Sequence, residues 1–124
     1  MTSKTAMTTQ EVAARFHELA QKEQWFEIQD ELFAETVRSI EPPTAKGLPN
    51  AQGKANVRRK GEQLLQQVEA VHRAHTTAPV VGGNYFAVGR ELDMTVRGAG
   101  RVQMNEVMLY EVKDGQIVLE QFFY

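Results

Sequence analysis

Three observations predict an α+β domain from the 124 residues of this chain. Apolar residues recur at helical spacing through the N-terminal part. After about His72 they alternate instead, with glycine-bearing turns between the runs. The helices all precede the strands rather than interleaving with them, which separates an α+β layout from a βαβ one. The length fits one domain, and 42% apolar with 24% charged residues is the composition of a chain that can bury a core.

The first predicted element spans Thr9 to Lys22. Val12, Phe16 and Leu19 share a helical face, widened by Ala13 and Ala20. Thr8 is placed to cap it, with Glu11 in capping-box position. Residues 1–8 are expected to be a flexible N-terminus and residues 9–124 a single domain. A second helix, Gln24 to Ala34, buries Trp25, Ile28, Leu32 and Phe33. Thr36 to Ile40 is strand-prone and stops at Pro42–Pro43, because proline cannot continue a helix and favours an extended residue before it. Pro42 to Gly53 forms the long loop, of a length that is functional or mobile in most folds. A third helix runs from Ala55 to Val71 with Val57, Gly61, Leu64, Leu65 and Val68 on one face. Gly61 there implies close packing, since glycine costs about 1 kcal/mol against alanine in a helix. The run Arg58–Arg59–Lys60 reads as a solvated helix face, with an anion site as the alternative.

Strands follow. Val71 to Val81 alternates weakly and turns at Gly82–Gly83–Asn84, a hairpin signal. Tyr85–Arg97, Arg101–Val112 and Gln116–Tyr124 are separated by Gly98–Ala99–Gly100 and Lys113–Asp114–Gly115, giving a four-stranded antiparallel meander. Its last two strands are apolar on both faces: Met104, Met108, Tyr110 and Val112 against Val107 and Leu109, then Ile117, Leu119 and Phe123 against Val118, Phe122 and Tyr124. Three helices cover one face, so a second copy of the chain is expected on the other, making a homodimer.

Charge and composition exclude several functions. Fourteen basic against sixteen acidic residues give a net charge of −2, which argues against nucleic acid or an acidic membrane as partner. No cysteine means no disulfide, thiolate metal site or cysteine nucleophile. No apolar run approaches the ~18–20 residues of a membrane span, and Met1–Gln10 is polar, so a cytoplasmic location is expected. His72 and His75 lack the further ligand and the spacing of a metal site, and no nucleophile elbow, P-loop or dinucleotide fingerprint is present. Neither a metal nor a cofactor is expected.

Two stretches, Leu32–Phe33–Ala34–Glu35–Thr36–Val37–Arg38–Ser39–Ile40–Glu41–Pro42 and Tyr110–Glu111–Val112–Lys113–Asp114–Gly115–Gln116–Ile117–Val118 with Glu120–Gln121–Phe122–Phe123–Tyr124, resemble the nuclear transport factor 2-like superfamily in its SnoaL-like branch. The first is similar to the family's passage from second helix into first strand, ending in an Asp-Pro step. The second is similar to its penultimate strand, Asp-Gly turn and aromatic-rich last strand. Over the whole chain, the resemblance implies a curved, mostly antiparallel sheet wrapped round a long helix into a cone, with an apolar pocket at its open end. Ketosteroid isomerase, scytalone dehydratase, limonene epoxide hydrolase and SnoaL-type polyketide cyclases share this fold, as do non-catalytic proteins, so it licenses no single activity.

The resemblance lays Glu41–Pro42 on the isomerase's catalytic Asp-Pro step. Independently, a carboxylate at a strand end beside Ile40 and two prolines is partly desolvated, which raises its affinity for a proton. Exposure at the start of the loop is the other reading of Glu41. The isomerase's tyrosine donor falls on His17 in a gap-free register and on Phe16 with one insertion; only His17 can donate. Its second donor, a neutral carboxylic acid, falls near Met108, with Glu106 one inward step away, so steroid isomerisation itself is not expected. Alternation turns Glu106 and Arg90 into the cone, where a buried charge must be paired or neutralised. Phe16, Trp25, Phe86, Arg90, Met104, Met108, Tyr110 and Gln121 are the expected lining, although strand packing and core filling also account for the tyrosine, glutamine and methionines. Two functions follow. One is cofactor-independent acid–base catalysis on a small apolar or polyketide-like molecule, with Glu41 moving the proton and His17, Glu106 or Tyr110 polarising an oxygen. The other is a non-catalytic ligand-binding or dimerisation module. The Pro42–Gly53 loop is placed to fold over the opening.

Overall fold

The computed structural model describes residues 6–45 and 48–124. The expected flexible tail falls largely on residues 1–5 and part of the expected lid on residues 46 and 47, both outside the described residues. Helices α1 (Thr9–Gln21), α2 (Trp25–Leu32) and α3 (Lys54–Gln67) accompany strands β1 (Phe33–Ile40), β2 (Ala51–Gln52), β3 (Val68–Thr76), β4 (Val80–Gly82), β5 (Tyr85–Val96), β6 (Gly100–Lys113) and β7 (Gln116–Phe123). The α+β class holds, but the helices do not all precede the strands: β1 and β2 lie between α2 and α3.

The capping box predicted at α1 is formed in both directions: Glu11 N–H donates to Thr8 Oγ1 at 3.1 Å and Thr8 N–H to Glu11 Oε1 at 2.9 Å. The second and third helices each end two to four residues sooner than expected, because Phe33 and Val68 turn extended and open β1 and β3 directly. Glu23 joins α1 to α2 with φ 55. Its carboxylate accepts from Trp25 Nε1 at 3.1 Å and from Arg90 Nη2 at 3.0 Å, which fixes the turn.

The strands form one sheet in the order β2-β1-β7-β6-β5-β3, with β4 also paired to β5. The four-stranded meander is thus corrected to seven strands. The β1–β7 pair is parallel, and the first strand expected of the meander, Val71 to Val81, is broken into β3 and β4, which pair with β5 on either side of Pro79. The break is stitched by Thr77, whose N–H donates to Gly89 O and whose Oγ1 accepts from Gly89 N–H, both at 2.9 Å. A bulge at Val118 separates the Val112–Ile117 pair from the Glu111–Leu119 pair. Beyond it, Glu120 and Phe122 share the inner face with Tyr110 and Met108, while Leu119, Gln121 and Phe123 face outward. This reverses the alternation expected for β7.

Aromatic side chains close the narrow end of the cone. Phe16 meets Tyr110 at 4.7 Å, Phe86 at 5.1 Å and Trp25 at 5.7 Å between ring centroids, and Phe86 stacks on Tyr110 at 5.1 Å. Val12, Ile28, Leu32, Val37, Val57 and Ile117 complete this core. On α3, only Val57 is buried; Leu64 and Leu65 are exposed, contrary to the predicted stripe. Gly61 does permit close packing, since a Cβ there would stand 3.1 Å from Phe26 Cε1.

Candidate active site

The site begins with three residues that alternation puts on the inner side of β1 and its end: Val37, Ser39 and Glu41, all buried. The parallel neighbour of Ser39 is Glu120 on β7, and the antiparallel neighbour of Glu120 is Tyr110 on β6. Ser39 Oγ donates to Glu120 Oε1 at 3.0 Å and Tyr110 Oη to Glu120 Oε2 at 2.9 Å, so both carboxylate oxygens are satisfied behind the core. Burial pushes the Glu120 carboxyl up, against the pull of those two hydrogen bonds and of Lys60; burial and the Glu120 charge likewise raise the Tyr110 phenol.

Lys60 connects this pair to the mouth. It lies three residues after Val57, on the buried face of α3, and its side chain is 12% exposed. Its ammonium donates to Ser39 Oγ at 3.1 Å and to Glu41 Oε2 at 2.6 Å, and stands 5.2 Å from the Phe122 ring centroid. Tyr124 Oη donates to the other Glu41 oxygen at 2.6 Å. Burial raises the Tyr124 phenol, and its bond to Glu41 raises it further. The side chains form one chain of contacts, Tyr110–Glu120–Ser39–Lys60–Glu41–Tyr124, from the core to the opening. Asn50 braces it from the loop by accepting the Glu41 N–H at 2.7 Å.

Glu106 is the inner-face carboxyl outside this chain. Its cross-strand partner is Arg90, yet the Arg90 guanidinium is spent on Glu23, on Thr76 Oγ1 at 3.0 Å and on the Trp25 ring at 4.4 Å. No ion pair to Glu106 occurs among the described residues. Desolvation pushes its carboxyl up to about 7, with Arg90 and Lys60 opposing and Glu41 and Glu120 adding. Three carboxyls therefore share one site with the Lys60 ammonium.

The predicted residues divide by position. Glu41, Glu106, Arg90, Met104 and Met108 come to the inner face of the open end. Phe16, Phe86 and Tyr110 are at most 1% exposed and pack against one another, so they fill the narrow end instead of lining a void. Trp25 sits at its edge under Arg90. The position expected of a donor on α1 is taken by Phe16; His17 points away, its Nδ1 3.4 Å from Gln21 Nε2. Gln121 lies opposite Leu109 and Ile40 on the outer face of β7, because the Val118 bulge shifts the alternation, and it reaches the open end at the strand edge instead of from inside the cone. An open cleft of about 540 Å³ runs past Glu41 and Phe122, walled by Ile40, Pro42, Pro43, Leu48, Asn50 and Gln121. A second groove, of about 680 Å³, lies between the start of α1 and the β6–β7 turn and contains none of these inner-face carboxyls.

Ser39, Glu120 and Tyr124 escaped the sequence reading as site residues, and Lys60 entered it only within the basic run. Lys60 had a visible signal: Val57, Lys60, Gly61 and Leu64 fall at i, i+3, i+4 and i+7, so the lysine interrupts the apolar stripe itself. Of the basic run, Arg58 stacks on Phe26 and pairs with Asp30, Arg59 bonds Asn56, and Lys60 turns inward. His72 Nε2 contacts Thr95 Oγ1 at 2.7 Å, and no trio of metal-ligating side chains gathers among the described residues.

Residues 7–124 match the family model of the SnoaL-like domain. The chain belongs to that family. This SnoaL-like domain is similar to a solved Mesorhizobium loti protein named for SnoaL-like polyketide cyclases and, in brackets, for carbohydrate phosphatase. They share 33% identity over 95% of this chain and 100% of the other, at a TM-score of 0.89. A Burkholderia pseudomallei NTF2-like protein of unknown function shares the fold at 15% identity, 95% and 92% coverage and a TM-score of 0.73. A Catenulispora acidiphila protein of ketosteroid isomerase-like fold, solved with trimethylamine, does so at 14% identity, 78% and 72% coverage and a TM-score of 0.64. Among curated proteins no match is found. No helix of this SnoaL-like domain, among the described residues, is long and apolar enough to cross a membrane.

Proposed function

We propose that this SnoaL-like domain performs cofactor-independent acid–base chemistry on a small, largely apolar molecule at the open end of its cone, with Glu106 as the group that moves the proton. The observation that carries the reading is Glu106 itself: an inner-face carboxyl, mostly out of water, without an ion-pair partner among the described residues, and held near 7. A group poised there both accepts and returns a proton at neutral pH. Glu41, the residue first favoured for this task, is clamped on both oxygens by Lys60 and Tyr124. Its role is electrostatic. Isomerisation, dehydration and cyclisation all begin with such a proton transfer. The reading also has the outer face of β5, β6 and β7 pairing with a second copy.

The test is exchange of α-protons for deuterium in a panel of cyclic and aryl ketones, followed by proton NMR. The domain accelerates the exchange of at least one member, and Glu106→Gln lowers that rate at least ~100-fold. No acceleration anywhere, or an unchanged rate in the variant, overturns the proposal. Ligand-induced stabilisation with no exchange would favour the non-catalytic binding reading, to which the fully clamped Glu41 also speaks.

A further inference from the structure

We infer that Lys60 is the electrophile of the site, the donor that holds a ligand oxygen as negative charge develops on it. The inference rests on the acid–base reading above and names what that reading lacks. A base that removes a proton next to a carbonyl leaves charge on the carbonyl oxygen, and a donor aimed there is the largest aid to the step. Of the positions where the resemblance puts donors, Phe16 and Met108 cannot donate, and His17 on α1 is turned to Gln21.

Lys60 can. An ammonium has three N–H groups. Glu41 Oε2 takes one at 2.6 Å and Ser39 Oγ another at 3.1 Å, and no described residue accepts the third. The nitrogen sits over Phe122 and beside Glu41, both of which wall the open cleft, and the lysine side chain is 12% exposed. Tyr124 Oη, the other hydroxyl at the mouth, commits its proton to Glu41. The ammonium is also anchored from behind. Ser39 Oγ accepts from Lys60 and donates in turn to the buried Glu120 carboxyl, so Lys60 stays in place when a ligand oxygen joins Glu41 as a partner.

The step balances without a co-reactant. A C–H bond beside a ligand carbonyl breaks and its proton forms an O–H bond on Glu106. The electron pair moves to the carbonyl oxygen, which becomes an enolate oxygen against the Lys60 N–H; Glu106 then returns the proton to carbon. The ligand class is an enolisable ketone or aldehyde, and phenols mimic its enolate.

4-Nitrophenol, whose ionised form absorbs at longer wavelength than its neutral form, is the probe. At pH 6 the wild-type protein binds it with the ionised band enhanced over free probe. Lys60→Met loses at least ~10-fold of that enhancement, and Lys60→Arg keeps most of it. Lys60→Met leaves Glu41 buried without its cation, so Glu41→Gln/Lys60→Met is measured beside it, with cooperative melting as the check on folding. An unchanged enhancement in the double variant, or no enhancement over free probe with wild-type protein at any probe concentration, overturns the inference. The two readings fail separately. Loss of exchange in Glu106→Gln with an unchanged band in Lys60→Met and in the double variant refutes the Lys60 role alone. Loss of the band with exchange intact in Glu106→Gln refutes the Glu106 role alone.

Discussion

Glu106 ties the chemistry of single residues to stability. Its carboxyl ionises near 4.5 in the unfolded chain and near 7 in the fold. Between those values the native state binds more protons than the unfolded one, so this group's contribution to stability falls as pH rises through the window. Glu106→Gln removes the penalty. Urea melts should show the variant gaining on the order of 2 kcal/mol over wild type at pH 8 and little at pH 4, after allowance for water at the mouth. Equal differences at the two pH values would contradict the burial argument. Single residues were unevenly legible in the sequence. Glu41, Glu106 and Arg90 were found because strand alternation and a Pro-Pro stop locate them. Ser39 and Glu120 were not, because a serine and a glutamate in a strand read as solvent-facing until the parallel β1–β7 pair sets them side by side.

Elements were legible where a local signal decides them. The capping box, the Gly61 contact and the turn at Asp114–Gly115 all reflect chemistry within a few residues of sequence. Asp114 and Gly115 both have positive φ, 51 and 77, as a tight hairpin with the right-handed strand twist requires. Gly115 is doubly constrained, since a Cβ there would stand 2.8 Å from Met7 N and 3.1 Å from Ala6 Cβ. Gly115→Ala should cost at least ~1–2 kcal/mol in thermal or urea unfolding, from backbone strain and the clash with the segment leading into α1. Gly82→Ala, where the added Cβ meets nothing within 4 Å, should stay within about 0.5 kcal/mol of wild type. Similar losses in both would mean that the close approach of Met7 is not what constrains the turn. Long-range pairing set the features that local signals missed: the bulge at Val118, the short β2 opposite Arg38 and Ser39, and the early ends of α2 and α3.

At the scale of the whole molecule, the two faces of the sheet have different fates. The inner face holds the helices, the aromatic plug and the site. The outer face divides into a polar half and an apolar half. Arg73–Glu91 and Arg101–Asp93 ion pairs cross the β3–β5–β6 end at 2.9 and 2.6 Å, satisfying that end in water. Toward the other end Val107, Phe123 and Tyr85 stand 48%, 46% and 42% exposed around Leu109 and Ala87. A twofold pairing sets such a patch against itself, apolar on apolar, and leaves the ion pairs at the rim. A second copy is therefore the expected cover. Val107→Glu places a charge opposite its own symmetry mate at the centre of that patch, far from the inner-face carboxyls. By sedimentation at micromolar concentration the wild-type chain should run as a dimer, and Val107→Glu as a folded monomer with an unchanged Glu106 titration. A wild-type monomer would leave the patch to another partner, and a Val107→Glu dimer would move the interface elsewhere on the surface. A monomeric variant with a shifted Glu106 titration would show that the outer face, through the shared β6 strand, shapes the site within.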